Sequence, residues 1–223
     1  MAAQHSDIPR RLPRGSHGLA RGVVAASQRA RLLEAVGRAV ADKGFAAATI
    51  DDIVRGAGVS KMTFYEHFSD KEDCFLAAYE AAAEELFLRV RDAHGTGADW
   101  LERTRAGIAA YLRWLAAEPA LARVFLIEVA AAGPRAAVAR ERLRDRYALL
   151  MRDLQEEARA EIPALPELPV EIFHAVVAAV DSLVVRRLRE GAGSELPELE
   201  PILLYLQVAL LAGPQLAAES TEL

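Results

Sequence analysis

The sequence has few of the features that secreted or membrane-spanning proteins need. It contains one cysteine, Cys74, so no disulfide can form within the chain and a reducing compartment is expected. The longest nearly continuous apolar run, residues 202–212, is too short to span a bilayer. The arginines near the N-terminus are not followed by an apolar stretch of the signal-peptide kind. We therefore expect a soluble, cytoplasmic protein with no membrane partner.

Motifs that carry enzyme chemistry are missing as well. The sequence has no glycine-rich phosphate loop, no nucleophile elbow and no His-Glu-x-x-His motif. It has no paired cysteines, and its five histidines are scattered along the chain. These absences predict a protein that is not an enzyme and that has no catalytic residues, no metal site and no cofactor.

The charge of the chain is divided unevenly, although its overall composition is that of a globular protein. The 223 residues are 52% hydrophobic and 26% charged, with a net charge of -5. Residues 1–70 hold ten Lys or Arg and seven Asp or Glu, a net +3, whereas residues 71–223 carry a net -8. A basic N-terminal part before an acidic remainder indicates one polyanion-binding face.

Apolar residues recur at spacings of three and four along the chain, and strand-like alternation is nearly absent. Glycines and prolines fall between these periodic segments, where helices are expected to end. The pattern predicts an all-α fold of about nine helices. Three short helices over 27–68 would form a head, and six longer ones would form a body, over 70–93, 98–117, 119–131, 135–160, 168–190 and 198–212.

Residues 27–68 have the spacing of a helix-turn-helix unit, in which a supporting helix precedes two short ones. Thr49 can cap the second helix, and Gly58 allows the tight turn that follows it. Ser60 stands where the cap of the third helix belongs. Because such units place their last helix in the major groove of DNA, this segment is the predicted DNA reader.

Helical geometry divides the predicted third helix into a buried and an outward face. Phe64 and Phe68 share the buried face. Outward positions in the first turn offer a cation and a hydroxyl to base edges, while the flanks offer hydroxyl and imidazole donors to phosphates. These outward side chains are Lys61, Thr63, Tyr65 and His67, with Lys71 just beyond the helix.

The same segment resembles the DNA-binding domain of the TetR family. The resemblance rests on the order and spacing of Gly44-Phe45, Ala48-Thr49-Ile50, Ile53-Val54, Ala57-Gly58-Val59-Ser60, Phe64-Tyr65, His67-Phe68 and Asp70-Lys71-Glu72. It implies a homodimeric repressor with an N-terminal domain for a double-stranded DNA operator and a C-terminal domain for ligand binding and dimerisation. It also implies DNA contacts at Thr49, Lys61, Thr63, Tyr65, His67 and Lys71.

A basic arm precedes the head, so that the predicted domains are an arm over 1–26, a DNA-binding head over 27–70 and a ligand-binding and dimerisation body over 71–223. The arm carries Arg10, Arg11 and Arg14, and it lacks helical periodicity. It can follow the DNA backbone or enter an adjacent minor groove, as basic arms do before a helical reader. The alternative is an ordinary disordered terminus.

Two apolar segments of the body predict self-association. Residues 202–211 are apolar nearly all round, and a helix of that kind needs burial on every side. Together with residues 173–185 it can form half of a four-helix bundle between two subunits. The alternative is that both segments fill the core of one chain. We favour the dimer because helix-turn-helix proteins read two half-sites as dimers.

Polar side chains within apolar segments predict a ligand cavity in the body. Glu128 interrupts one such run, and His174 and Asp181 lie seven residues apart on one helix face. Aromatic side chains can line the apolar part of the pocket, although aromatics at helical spacing also form ordinary cores. The predicted ligand contacts are Phe87, Tyr111, Trp114, Phe125, Glu128, His174 and Asp181.

The sequence thus predicts a DNA-binding transcriptional regulator, and it favours a homodimeric repressor that a small, largely apolar effector releases from a palindromic operator. A regulator that does not respond to a small molecule is the second interpretation. A helical carrier of apolar ligands, or a small enzyme that bears a helix-turn-helix head, is the alternative from another class.

Overall fold

The structure, a computed structural model, describes residues 21–220, and that part of the chain contains ten α-helices, two short 3-10 helices and no β-strand. The all-α prediction is confirmed. The 3-10 helices are Glu128–Ala131 and Gly193–Leu199. The α-helices are α1 (Arg21–Ala47), α2 (Ile50–Ala57), α3 (Lys61–His67), α4 (Lys71–His94), α5 (Trp100–Ala117), α6 (Pro119–Leu126), α7 (Pro134–Glu161), α8 (Val170–Arg189), α9 (Glu200–Leu211) and α10 (Pro214–Ser220).

The described residues form two compact units that divide between Ala78 and Tyr79, within α4. We call residues 21–78 the head and residues 79–220 the body. Most of the predicted basic arm, including Arg10, Arg11 and Arg14, lies outside the described residues.

The core of the head is formed by α1, the two short helices α2 and α3, and the first turns of α4. Each of these helices contributes a fully buried apolar side chain, and these are Leu32, Ile53, Phe64 and Phe75, all 0% exposed. Burying a side chain of this size stabilises a fold by about 1.5–3 kcal/mol. The burial of Phe64 therefore fixes which face of α3 points outward.

The first helix differs from its prediction at both ends. It begins at Arg21 instead of residue 27, because the alanines and valines of residues 23–26 continue the helix and Ser27 is buried. Gly44, the predicted end, interrupts the helix with φ 77 and ψ 158. This conformation costs a glycine little, and it turns the chain toward α2.

The body has its main core around α5, α8 and α9. The most deeply buried residues there include Leu112, Val184, Leu203, Leu204 and Val208, each 0% exposed. A smaller apolar cluster joins α7 to α8 and the end of α9. Within the part of the chain that the structure describes, no helix is both long and apolar enough to cross a membrane.

Two elements of the body depart from the predicted helices. The predicted helix over 119–131 is shorter, because α6 ends at Leu126 and a 3-10 helix follows it. The short helix α10 lies beyond the predicted end at residue 212, after Gly213 with φ 107. Ala217 of α10 is fully buried, and this packing stabilises a helix too short to be evident from periodicity.

Candidate DNA-binding surface and ligand cavity

The outward face of α3 is the most exposed apolar and aromatic surface of the head. The side chain of Ser60 accepts a hydrogen bond from the Thr63 amide at 3.0 Å and so caps the helix as predicted. Met62 is 74% exposed and Tyr65 is 57% exposed, on the side opposite the buried Phe64. A short helix held by its cap and by one buried ring leaves these side chains free to enter a groove of DNA.

Helix α2 and the turn after it orient α3. Thr49 forms a capping box with Asp52, in which the Thr49 hydroxyl accepts from the Asp52 amide at 3.2 Å and the Asp52 carboxylate accepts from the Thr49 amide at 3.1 Å. Hydrogen bonds from Lys43 and from Thr49 lower the pKa of Asp52 to about 2. Gly58 ends α2 with φ 64 and ψ 41, a left-handed conformation that favours glycine.

An exposed ion pair joins α2 to α3. Lys61 Nζ lies 2.8 Å from Asp51 Oδ1, with both side chains more than half exposed. The hydrogen bond to Asp51 and its charge raise the pKa of Lys61. Lys61 therefore has a carboxylate partner within the head, and any DNA contact by this lysine exchanges one anionic partner for another.

Lys71 is tied to the end of α1. Its ammonium group donates to the carbonyl oxygens of Phe45 at 2.6 Å, Ala48 at 2.8 Å and Ala46 at 3.4 Å. Cations stabilise helix C-termini in this way, since the last carbonyls have no partners within the helix. These bonds give Lys71 a role in the fold of the head, and its predicted phosphate contact stays a prediction.

The structure places the six predicted DNA contacts in two groups. Thr49, Lys61 and Tyr65 are exposed, while Thr63, His67 and Lys71 are half-buried. The Thr63 and Ser60 hydroxyl oxygens are 3.0 Å apart, and the Nε2 atom of His67 is buried without a hydrogen-bond partner. The exposed group is therefore the one that can meet DNA without a local rearrangement.

The body holds an apolar cavity of about 90 Å³ that is partly open to solvent. Helices α4, α5, α7, α8 and α9 all contribute to its wall. A concave, mostly apolar site with a few polar groups is the usual form of a small-molecule site. The apolar lining residues are Leu86, Val90, Ile108, Leu126, Leu143, Met151, Val176, Val177, Val180 and Leu203.

Two of the predicted ligand contacts, Tyr111 and Asp181, line this cavity. Burial raises the pKa of Tyr111 well above its usual value, so its hydroxyl is protonated. Asp181 accepts a hydrogen bond from Arg144 at 2.9 Å and forms an ion pair with Arg140 at 3.6 Å. These three charged side chains also line the cavity, and they balance much of one another's charge.

The three other aromatic predictions lie outside the cavity wall. Phe87 packs on Tyr147 with 5.4 Å between ring centroids, and Phe125 packs on Tyr79 at 6.1 Å. Trp114 donates through its indole nitrogen to Glu85 at 3.4 Å. Phe87 and Phe125 therefore pack against other aromatic rings, and Trp114 is bound to a carboxylate.

The predicted polar contacts Glu128 and His174 also lie outside the cavity wall. Glu128 begins the first 3-10 helix and is half-buried. His174 is exposed on α8, with its Nδ1 atom 3.8 Å from Asp145 Oδ1. Asp181 and His174 are seven residues apart as predicted, but only Asp181 reaches the cavity.

Sequence reasoning missed the polar groups that have no partner at this cavity. His94, the last residue of α4, is 5% exposed, and neither of its ring nitrogens has a hydrogen-bond partner. Gln207 Oε1 and the Tyr147 hydroxyl also lack partners, and all three residues line the cavity. Gln207 had a visible signal because it interrupts the apolar run 202–212, whereas His94 resembles an ordinary polar helix end.

The imidazole of His94 is kept neutral by its surroundings. Burial, with a smaller contribution from the positive charge of Arg103, lowers the pKa of His94 from 6.5 to about 4. Gly107 of α5 passes so close to the ring that a methyl group at this glycine would overlap it. The ring position therefore depends on a residue without a side chain in the neighbouring helix.

The capped helices α2 and α3, joined by a turn at Gly58, give the head the arrangement of a helix-turn-helix unit. Residues 32–78 match the family model described as "Bacterial regulatory proteins, tetR family". This match covers 47 of the 223 residues and lies within the head.

Relatives of known name match part of the chain. The chain is 36% identical over 88 residues to the HTH-type transcriptional activator FasR of Mycolicibacterium smegmatis, and the match covers 40% of each protein. It is also 36% identical over 77 residues to the HTH-type transcriptional repressor KstR2 of Mycobacterium tuberculosis, covering 34% of this chain and 38% of KstR2. The chain thus spans about two fifths of the relatives that it matches.

Solved structures resemble the chain over most of its length. The fatty acid degradation regulator FadR from Bacillus halodurans has a TM-score of 0.72 at 20% identity, over 82% of this chain and 98% of that one. FadR from Bacillus subtilis, solved in complex with stearoyl-CoA, has a TM-score of 0.72 at 18% identity with the same coverage. At this level of identity the likeness shows a shared fold.

Proposed function

We propose that the protein is a transcriptional regulator that binds an operator as a homodimer and responds to a small, largely apolar effector in the cavity of the body. The observation that carries the proposal is the exposed outer face of α3 in a head of the TetR family. The relatives include one named activator and one named repressor. Of the two modes we propose repression, which is the mode that the family resemblance of the head implies.

Tyr65 and Lys61 are the proposed centre of the DNA contact. Tyr65 offers an exposed ring and hydroxyl, and Lys61 offers a cation at the first turn of α3. The exposed Thr49 and the half-buried Thr63, His67 and Lys71 complete the proposed set. Base contacts by the first turn would set sequence preference, and contacts to phosphate would set affinity.

The apolar wall of the cavity supports the proposed effector class. The space of about 90 Å³ is smaller than an engineered closed cavity of about 150 Å³ that holds benzene, but it is partly open to solvent. A short apolar group fits within it, and a single aromatic ring fits when one edge extends toward the open side. An acyl chain of the kind that the Bacillus subtilis FadR binds would have to widen it or extend through the open side.

The proposed dimer uses the outer faces of α8 and α9. Val170 is 46% exposed on α8, and Ile202 and Leu210 are 41% and 42% exposed on α9, although the opposite side of α9 is buried in the body. A second copy of the chain would cover these apolar side chains in a four-helix arrangement. Sedimentation of the parent and of Leu210→Glu tests this part, because the charged variant should shift the protein toward monomer.

Selection from random double-stranded DNA by the purified chain tests DNA binding. The parent should enrich a near-palindrome whose half-site centres lie about 34 Å apart, or a multiple of that distance. Tyr65→Ala should weaken binding to the selected site, and Lys61→Gln should alter the preferred base. Arg38→Gln is the matched control, since Arg38 is an exposed cation of the head that pairs with Glu34 on α1. Failure of the parent to enrich any sequence would overturn the proposal.

A further inference from the structure

We propose that the cavity of the body recognises effectors that carry an uncharged hydroxyl group on an apolar framework, and that His94 and Gln207 bind this hydroxyl. The proposal rests on the proposed function, because it specifies the chemical class of the effector. It concerns residues that neither the composition nor the periodicity of the chain had marked as ligand contacts.

The first step is the number of unpaired polar atoms at one apolar cavity. Both ring nitrogens of His94, the Oε1 atom of Gln207 and the hydroxyl of Tyr147 are buried without protein partners. They come from three different helices, α4, α9 and α7, yet all three residues line the same cavity. Native proteins leave few buried polar groups unpaired, so a cluster of them indicates a site for a hydrogen-bonding ligand.

The second step is the protonation state of His94. Its low pKa, caused by burial, keeps the ring neutral near pH 7. A neutral imidazole offers one donor and one acceptor nitrogen, and the Oε1 atom of Gln207 is an acceptor only. A hydroxyl both donates and accepts, so it can accept from the imidazole and donate to the amide oxygen. A carboxylate has no proton to donate, and its negative charge would be repelled by the partial negative charge of the amide oxygen.

The third step is the pairing of the charged side chains that line the cavity. Arg140 and Arg144 also line it, but both pair with Asp181, at 3.6 Å and 2.9 Å. An anionic ligand would have to displace Asp181 from these arginines. The unpaired groups at His94 and Gln207 can instead bind a neutral oxygen without breaking any ion pair. The arrangement therefore favours an uncharged ligand over an acidic one.

The fourth step is the rigidity of the His94 position. Gly107 leaves space for the imidazole that any larger residue would fill. Arg103, whose charge opposes protonation of the ring, pairs with Glu161 and with Glu157 at 3.5 Å. The ring is thus held at the wall by its neighbours, although it forms no hydrogen bond to them. Such preorganisation reduces the entropy that binding would otherwise cost.

Three probes of similar size separate the possible ligand classes: phenol, toluene and benzoate. Phenol and toluene have nearly the same shape and differ in one hydroxyl, while benzoate adds a negative charge. Binding is measured by calorimetry and by the ¹⁵N shifts of the histidine rings in the full-length protein. Phenol should bind at least about tenfold more tightly than toluene and should shift the His94 ring nitrogens, because sites built to bind a hydroxyl reject analogues that lack it.

Two variants and one control assign the effect to His94. His94→Phe keeps an aromatic ring without nitrogen atoms and should bring the phenol-to-toluene affinity ratio close to one. Gly107→Ala retains His94 but displaces its ring, and it should lower the same ratio. His174→Ala removes an exposed histidine that lies outside the cavity wall, and it should bind both probes as the parent does.

Equal affinity for phenol and toluene, with unchanged His94 shifts, would overturn this inference and leave the proposed regulator intact. Tighter binding of benzoate than of phenol would overturn it in favour of an anion site at Arg140 and Arg144. Failure of all three probes to bind would overturn both this inference and the proposed cavity effector. The selection of DNA sequences would still test the regulator itself.

Discussion

The neutral, buried His94 makes the stability of the body depend on pH. Its pKa is about 4 in the folded protein, against 6.5 for an unperturbed histidine. The unfolded chain therefore takes up a proton below about pH 6.5, whereas the folded protein does so only near pH 4, so stability is lost as the pH falls through this range. Because the pKa differs between the unfolded and the folded state, the free energy of unfolding falls by about 2 kcal/mol between pH 7 and pH 5.

Urea unfolding at pH 7 and at pH 5 measures this loss. Both tryptophans of the chain, Trp100 and Trp114, lie in the body, so their fluorescence reports on that unit. Between pH 7 and pH 5 the free energy of unfolding should fall by about 2 kcal/mol more in the parent than in His94→Phe, because the variant has no imidazole to protonate. His174→Ala should follow the parent. Equal losses in the parent and in His94→Phe would refute the assignment of a buried, neutral histidine.

Three further predictions concern the head, and amide hydrogen exchange over residues 32–78 measures each of them. Lys71→Met should destabilise the head by about 1.5–3 kcal/mol, because the carbonyls at the end of α1 lose a charged donor. Unchanged protection of the amides from exchange would show that these bonds do not stabilise the head. Gly58→Ala should lower the stability of the head by about 1–2 kcal/mol, because alanine is strained in the left-handed conformation of this residue. An unaltered stability would show that no such strain arises. Thr49→Ala should lower the stability of the head by about 1 kcal/mol, whereas Thr49→Ser keeps the capping hydroxyl and should lower it less. Equal losses of stability in the two variants would argue against the capping box.

The head was largely predictable because its determinants are local. Thr49 and Ser60 cap α2 and α3 where the sequence predicted caps, and Gly58 adopts the left-handed turn. Phe64 and Phe68 are buried, at 0% and 4% exposure, as the helical period required. Each of these features depends on residues within a few positions of one another in the chain, so single-sequence patterns contain them.

The cavity was less predictable because its wall depends on contacts between distant helices. A polar residue inside an apolar run correctly indicates Asp181 as a lining residue, but the same pattern fails for His174, because His174 faces solvent on the same helix. The burial of His94 at the cavity could not be predicted from local sequence, because it depends on Gly107, which is thirteen positions away on another helix. Phe87 and Phe125 have the right spacing for a lining, but their rings meet other aromatic rings.

In the proposed DNA contact, the ion pair between Lys61 and Asp51 changes how binding depends on salt. A lysine that reaches DNA from water releases about 0.9 of a condensed cation per phosphate neutralised. Lys61 starts from a carboxylate partner at 2.8 Å, so in the proposed contact Asp51 stays beside the phosphates with its own negative charge. The net charge that the pair brings to the DNA is then close to zero, and Lys61 adds less to the salt slope of affinity than an unpaired lysine would. The proposed DNA-binding surface of the head thus already carries a counterion, Asp51, for its lysine Lys61.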